Sequence, residues 1–199
     1  MFPLIETIKI VNGKPQNLSY HQHRFEASYY KLYNKLTNIR LNEVIKVPEK
    51  HRKGIVKLRF LYNQTDCFCQ FENYRSKHIE TLRLVYCDQI EYSLKWVNRK
   101  PIENLLLQKK SADDILIVKN DLITDTSFTN IAFWDGKNWI TPQYPLLHGT
   151  ARARLIHHKH IVPAPVYVSD LPLFKSFKLF NAMLDFERQP NISVANILI

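Results

Sequence analysis

The sequence has no apolar run of the roughly 20 residues that a helix needs to cross a bilayer, and it contains only three cysteines. Its first ten residues, MFPLIETIKI, lack the basic segment and long apolar segment of a secretory signal. An odd cysteine count disfavours a disulfide framework. Cys67 and Cys69 are two residues apart in a predicted strand, so they share one strand face and are interpreted as small buried residues. We therefore expect a cytoplasmic protein that has no membrane partner.

Acidic residues are few: 18 Asp and Glu stand against 28 Lys and Arg, which gives a net charge of +10. A nucleic-acid-binding protein would need a basic stripe with exposed aromatic residues or a recognisable module, and the basic residues here are spread along the whole chain. We therefore expect no nucleic-acid partner and interpret the charge as favouring solubility and small anionic ligands. The length of 199 residues allows one compact domain or two small ones.

Local patterns divide the chain into two parts. The first part has strand-like segments and one long helix, in which Phe25, Tyr29 and Tyr33 recur at helical spacing and predict a buried face. The second part has helices that open at Pro101 and Gly149, with short strands between them. A polar stretch at 88–94 separates the two parts. We expect an α/β (α+β) fold with a small N-terminal α/β domain (1–90), a larger C-terminal α/β domain (91–199) and a cleft between them.

The predicted strands are rich in β-branched and aromatic residues and are bounded by turn residues. They cover 5–11, 55–62, 67–73, 78–87, 114–119, 130–135, 139–141 and 177–182. The pairs Asn12-Gly13 and Asp135-Gly136 predict tight hairpin turns. Ser19 and Ser169 are expected to cap a long helix and a short one.

Four short segments carry candidate chemistry: His21-Gln-His23-Arg24, Lys95-Trp-Val-Asn98-Arg99, Asp125 through Ile131, and Thr141 through Arg152. Each segment alone is ordinary, since surface lysines and helix-opening glycines are common. Their order and spacing together resemble the class IV aminotransferase family, also called fold type IV pyridoxal-phosphate enzymes. The resemblance covers most of the chain and implies a two-domain fold that holds pyridoxal 5′-phosphate in its cleft.

The resemblance assigns two residues to the reactive part of the cofactor. Lys95 would form the Schiff base with the cofactor aldehyde and would move a proton at the substrate carbon. Asp125 would pair with the pyridinium nitrogen, which makes the ring an electron sink. The family usually has Glu at this position, and Asp is one methylene shorter. The contact is therefore expected to be closer, bridged by water, or weaker.

The cofactor phosphate is assigned by the same resemblance to a guanidinium and to a helix start. The planar fork of Arg24 suits a phosphate. The helix that begins after Gly149 would direct the backbone N–H groups of Thr150 and Ala151 at the same anion. Arg99 and Asn130 complete the expected cofactor-binding set. Besides Asp125 in place of Glu, the sequence differs from the family pattern at its start, because relatives have an opening hairpin and loop ahead of the strand at residues 4–9.

Within the family, Lys-x-x-Asn-Arg most resembles 4-amino-4-deoxychorismate lyase, which makes 4-aminobenzoate and pyruvate for folate synthesis. This resemblance implies Thr7 as the proton donor to the leaving group. It also implies a substrate-binding set for two carboxylates: Lys9, Lys57, Arg59, Asn181 and Ala182. Lys57 and Arg59 share one strand face; the alternative is a solvent-facing pair on an edge strand, where such residues prevent aggregation.

Two rival functions stay open at this point. One is a branched-chain or D-amino-acid type aminotransferase on the same fold, which would take an amino acid as its substrate. The other is a non-catalytic binding protein, which Asp125 and the shortened start of the chain motivate. In each case the resemblance implies a homodimer.

Overall fold

The computed structural model describes residues 1–199, and the mixed α/β fold predicted from the sequence is confirmed. The chain forms two compact units. Unit 1 contains residues 1–76 and 94–98, and unit 2 contains residues 77–93 and 99–199. None of the helices is both long and apolar enough to cross a membrane. The domain boundary near residue 90 and the cleft stay predictions.

Unit 1 is an antiparallel sheet with a long helix packed on one face. It contains β1 (Leu4–Val11), β2 (Lys14–Pro15), α1 (Leu18–Tyr33), α2 (Leu41–Val44), β3 (Ile55–Tyr62) and β4 (Cys67–Asn73). The strand order is β2-β1-β3-β4. Asn12 and Gly13 both have positive φ (47° and 81°), which confirms the hairpin turn predicted between β1 and β2.

The core of unit 1 lies between α1 and the sheet. Phe25 is fully buried and meets the rings of Tyr62 and Phe60 edge-on, with centroids 4.7 and 5.7 Å away. Tyr29 is also buried, so the predicted apolar helix face is confirmed. The predicted cap at Ser19 is wrong. The helix begins at Leu18 because Asn17 takes the left-handed conformation (φ 52°), which Asn tolerates well.

The cysteine interpretation is also wrong. Cys67 is exposed and Cys69 is only half-buried at the margin of the unit 1 core, because β4 is the edge strand of the sheet. The three cysteines are free thiols.

Unit 2 contains two sheets. One has the order β13-β5-β6-β7 and comprises β5 (Leu82–Tyr86), β6 (Asp114–Lys119), β7 (Leu122–Thr126) and β13 (Ile197–Leu198). The other has the order β10-β9-β8-β11-β12 and comprises β8 (Asn130–Trp134), β9 (Trp139–Pro142), β10 (Val162–Ala164), β11 (Ser176–Phe180) and β12 (Ile192–Ser193). Their shared core includes Leu116, Val118, Phe133 and Phe177.

Two α-helices and several 3-10 turns connect these strands. Pro101 lies in the first turn of α3 (Lys100–Leu106), and Gly149 directly precedes α4 (Thr150–His157), so both predicted helix starts are confirmed. The predicted cap at Ser169 is wrong. Ser169 lies inside the 3-10 helix Val168–Leu173, and the Asp170 carboxylate accepts the N–H of Tyr167 instead.

Candidate active site

Lys95 lies beside the start of β1 in unit 1, where the main chain holds it on both sides. The N–H of Ile5 donates to the Lys95 carbonyl at 3.0 Å, and the N–H of Val97 donates to the Pro3 carbonyl at 2.8 Å. Trp96 forms an antiparallel bridge with Leu4 between these two bonds. The backbone at Lys95 is therefore fixed by the first strand of the chain.

A buried ionic cluster lies on the helix-facing side of β1. The Glu6 side chain is fully buried and accepts two hydrogen bonds from Arg24: Nε to Oε1 at 2.8 Å and Nη2 to Oε2 at 2.6 Å. His21 Nδ1 lies 2.6 Å from Glu6 Oε2. Sequence reasoning had singled out Arg24 and missed Glu6. The available signal was strand alternation, which places Glu6 on the same buried face as Leu4 and Ile8.

The charges of this cluster are strongly coupled. Burial alone would raise the pKa of Glu6, but the Arg24 charge and the hydrogen bonds from His21 and Arg24 lower it to about 2. Burial lowers the pKa of His21, and the positive charges of Arg24 and Lys95 act in the same direction. At neutral pH a neutral His21 therefore donates its Nδ1–H to the Glu6 carboxylate, which can only accept.

The opposite face of the same sheet carries the predicted substrate-binding cations. Thr7 pairs with Arg59 and Lys9 pairs with Lys57 across β1 and β3, so all four side chains share one face. Lys9 is buried, and Lys57 and Arg59 are half-buried. The edge-strand alternative is wrong, because β3 lies between β1 and β4.

Two cations of this face contact side chains of β4. Lys57 Nζ lies 2.7 Å from Glu72 Oε1, and Arg59 Nη1 donates to Gln70 Oε1 at 3.1 Å. We name the residues Thr7, Lys9, Lys57 and Arg59 the basic face of unit 1. Glu72 offsets the charge of Lys57 in part.

In unit 2, Asp125 lies on β7 and is buried. Its Oδ1 accepts from Asn130 Nδ2 at 2.7 Å, and its Oδ2 accepts the N–H of Leu147 at 2.9 Å. Asn130 Nδ2 also donates to the Leu147 carbonyl at 3.1 Å. Burial raises the pKa of Asp125 to about 6, although these hydrogen bonds and the charge of Arg152 act in the opposite direction. The predicted acid and amide are thus joined to the loop that leads to Gly149.

Gly149 is required by the close approach of Asn130. A Cβ atom at this position would lie 1.9 Å from Asn130 Oδ1, although the backbone conformation itself (φ −66°) suits any residue. Helix α4 follows, and its first internal bond runs from the N–H of Ala153 to the Gly149 carbonyl at 2.9 Å. The N–H groups of Thr150 and Ala151 therefore have no carbonyl one turn earlier within the helix. Such a helix start attracts anions.

The turn between Asp125 and Asn130 is held by two of the predicted site residues. Arg99 Nη2 donates to the Ser127 carbonyl at 2.6 Å, and Asn181 Nδ2 donates to the Phe128 carbonyl at 3.2 Å. Ala182 follows Asn181 directly and is half-buried. Unit 2 therefore brings Arg99 and Asn181 to the same short turn, which sequence spacing alone did not predict.

The predicted site residues fall into two sets. Unit 1 holds Thr7, Lys9, Arg24, Lys57, Arg59 and Lys95, and unit 2 holds Arg99, Asp125, Asn130, Gly149, Thr150, Ala151, Asn181 and Ala182. Within each unit the residues are grouped as described above. The assembly of both sets into one active site stays a prediction.

Comparison with known proteins adds independent information. A sequence profile of the family described as amino-transferase class IV matches residues 3–186. An uncharacterized protein of Haemophilus influenzae is 38% identical over 185 residues, which are 92% of this chain and 98% of that protein. A crystal structure from Haemophilus somnus, of a protein provisionally named 4-amino-4-deoxychorismate lyase, has 39% identity and a TM-score of 0.86, over 93% of this chain and 98% of that chain.

A more distant structure extends the likeness in fold. A hypothetical aminotransferase of Mycobacterium tuberculosis in its PLP-bound form has a TM-score of 0.78 at 14% identity, over 96% of this chain and 80% of that chain. The fold type IV architecture, an enzymatic function and the cofactor that the sequence motifs implied are all confirmed by these matches. The chain belongs to the class IV aminotransferase family, whose members are pyridoxal-phosphate-dependent enzymes.

Proposed function

We propose that this enzyme is a 4-amino-4-deoxychorismate lyase, which eliminates pyruvate from its substrate to give 4-aminobenzoate. The observation that carries the proposal is the basic face of unit 1, where three cations and a threonine hydroxyl share one side of a sheet. The substrate has two carboxylates, and its leaving group must take up a proton. The Lys95-x-x-Asn98-Arg99 spacing and the Haemophilus somnus relative support the same reaction.

The residues of the chain fit pyridoxal phosphate. The guanidinium of Arg24 and the N–H groups of Thr150 and Ala151 would hold the phosphate, and the absence of a side chain at Gly149 lets Asn130 pack against the loop that leads to this helix start. Asp125 would face the ring nitrogen, while Arg99 and Asn130 hold the turn that carries this carboxylate. When bound, the cofactor supplies a ring that accepts negative charge from the substrate carbon.

Lys95 is the proposed base of the reaction. After it has carried the cofactor, its amine removes the proton from the ring carbon that bears the substrate's amino group. The main-chain bonds to Pro3 and Ile5 keep the segment of this lysine at a fixed place beside β1. Loss of that proton and of the enolpyruvyl oxygen leaves an aromatic ring.

Thr7 is the proposed acid of the same reaction. The ring C–O bond to the enolpyruvyl group breaks, and the Thr7 hydroxyl donates a proton to that oxygen, so that the group leaves as the enol of pyruvate and tautomerises to pyruvate. The proton that Lys95 removed returns to the Thr7 oxygen. Thr7 lies on β1 only two residues from Ile5, whose N–H holds the Lys95 carbonyl. Acid and base thus belong to one strand and to the segment that is bonded to it.

The substrate carboxylates are assigned to the basic face and to one loop of unit 2. Arg59 offers a planar fork that binds a carboxylate through two N–H groups, and Lys9 and Lys57 add positive charge. The amide of Asn181 and the main chain of Ala182 are proposed as further carboxylate contacts. This arrangement favours a dianionic substrate over a neutral amino acid.

The first experiment compares the wild type with Lys95→Ala and with Lys100→Ala, an exposed lysine five residues later. With added pyridoxal phosphate, the absorption band of lysine-bound cofactor is expected in the wild type and in Lys100→Ala, and its absence is expected in Lys95→Ala. Pyruvate release from aminodeoxychorismate, followed with lactate dehydrogenase, then tests the lyase. Turnover of D- or branched-chain amino acids without pyruvate release from aminodeoxychorismate would establish the aminotransferase instead.

A further inference from the structure

We propose that Glu6 is a positioning residue, which orients the guanidinium of Arg24 toward the cofactor phosphate. The inference rests on the proposed phosphate role of Arg24 and does not depend on which reaction the enzyme catalyses. Glu6 itself touches neither cofactor nor substrate in this assignment. It acts through the two hydrogen bonds that it accepts from Arg24.

The geometry of this pair fixes the plane of the guanidinium. Glu6 takes the Nε–H and one Nη2–H of Arg24, at 2.8 and 2.6 Å, so one edge of the planar fork faces the carboxylate. The remaining three N–H groups of a guanidinium point away from that edge. The side chain of Glu6 is 0% exposed, whereas that of Arg24 is 13% exposed. The carboxylate therefore lies inside unit 1 and the guanidinium lies toward its surface.

The Glu6 carboxylate is itself fixed by more than Arg24. It belongs to an interior residue of β1, whose backbone pairs with Phe60 on β3. Its Oε2 also accepts from His21 Nδ1 at 2.6 Å, one helical turn before Arg24 on α1. A strand and a helix thus both determine where the fork can lie.

Stability alone does not explain such a pair. Replacing a largely buried ion pair with apolar residues is often neutral or stabilising, because desolvation offsets the Coulomb attraction. A geometric role accounts for the arrangement better, since a flexible arginine side chain loses much of its freedom before the phosphate arrives. A pre-oriented arginine binds its anion more tightly for that reason.

The test compares two ligands that differ only in the phosphate: pyridoxal phosphate and pyridoxal. Their dissociation constants are measured from the absorption band of the lysine-bound form in the wild type and in Glu6→Gln, which keeps the shape and removes the charge. We expect pyridoxal phosphate to bind about 10-fold more weakly or worse in Glu6→Gln, with pyridoxal nearly unchanged. Equal losses for both ligands, or no loss for either, would overturn the proposal.

Matched variants separate positioning from general damage. Glu26→Gln removes the carboxylate of another Glu–Arg pair, with Arg40, and is expected to leave both dissociation constants unchanged. If Glu6→Gln does not fold, Glu6→Asp is measured in its place, because it keeps the charge and withdraws it from the fork by one methylene. In Glu6→Asp the affinity for pyridoxal phosphate relative to that for pyridoxal is expected to fall in the same way. An unchanged ratio of the two affinities would contradict the proposal.

A double-mutant cycle gives a second, independent readout. If Glu6 acts through Arg24, then Glu6→Gln adds no further loss of pyridoxal-phosphate affinity in an Arg24→Gln background. Additive losses would show that Glu6 works by another route and would refute the positioning role. These binding measurements need no turnover. A protein with the expected ligand discrimination and no lyase activity would therefore disprove the proposed reaction and leave this inference intact.

Discussion

Substitution of Gly149 by alanine tests how the loop before α4 is packed. The new Cβ would lie 1.9 Å from Asn130 Oδ1, about 1.5 Å inside an ordinary contact, so the Asn130 side chain must move. That movement breaks its hydrogen bonds to Asp125 and to the Leu147 carbonyl. The loss of one charge-assisted bond and one neutral bond, with a buried carboxylate left short of a donor, amounts to about 2–4 kcal/mol.

Urea unfolding of the cofactor-free protein measures this cost. Gly54→Ala is the matched control, because a Cβ there meets nothing within 4 Å although the backbone has φ +71°. At Gly149 the backbone conformation is ordinary (φ −66°) and the added Cβ meets Asn130. The control is expected to lose only about 1 kcal/mol, through backbone strain alone. Adding Asn130→Ala to Gly149→Ala should cost less than the sum of the two single changes. A free energy of unfolding for Gly149→Ala within about 0.5 kcal/mol of the wild-type value would refute the packing argument.

Three further results are expected. Because folding raises the pKa of Asp125 from 3.8 to about 6, this group binds more protons in the folded state within that window. Its contribution to stability should therefore fall as the pH rises from 3.8 to about 6, and Asp125→Asn should remove this contribution in urea unfolding, while the opposite contributions of Glu6 and His21 remain. Ile5→Pro removes the donor that holds the Lys95 carbonyl, so cofactor attachment in stopped-flow absorbance should slow by about 10-fold. Lys57→Gln and Arg59→Gln should each raise KM for aminodeoxychorismate by roughly 10-fold or more, with a smaller change in kcat.

Two of these results have matched controls. Asp113 directly precedes β6, is less buried than Asp125 and has a lowered pKa, so Asp113→Asn should leave the Asp125 contribution between pH 3.8 and 6 in place. Lys53→Gln changes an exposed lysine just before β3 and should leave KM unaltered. Equal effects of Lys53→Gln and Lys57→Gln would point to diffuse charge and would count against a specific basic face.

The sequence singled out the residues that are proposed to carry the chemistry. Lys95, Arg24, Asp125 and Gly149 stand at motif spacings, and the two predicted helix starts at Pro101 and Gly149 are present. Spacing along the chain does not reveal which residues support these groups from another element. Glu6 is 15 residues from His21 and 18 from Arg24, so only the packing of α1 on β1 brings the three together.

Other misses have equally local causes. Strand β7 was not predicted, because its sequence LITDT is short and polar and its burial comes from the neighbouring sheet. The burial of Cys67 was wrong because alternation identifies a face and does not say whether another layer covers it. The cap at Ser19 was wrong because Asn17 already turns the chain through the left-handed conformation.

Residues 94–98 belong to unit 1 although they follow a segment of unit 2 along the chain, and this order has a consequence for synthesis on the ribosome. Leu94 and Trp96 belong to the core of unit 1, yet they follow residues 77–93, which belong to unit 2. A nascent chain that has released only residues 1–76 therefore lacks part of that core and the bonding partners of Pro3 and Ile5. The proposed catalytic lysine is carried on the last piece to be added, so the segment that completes unit 1 is also the one that brings Lys95 to its place.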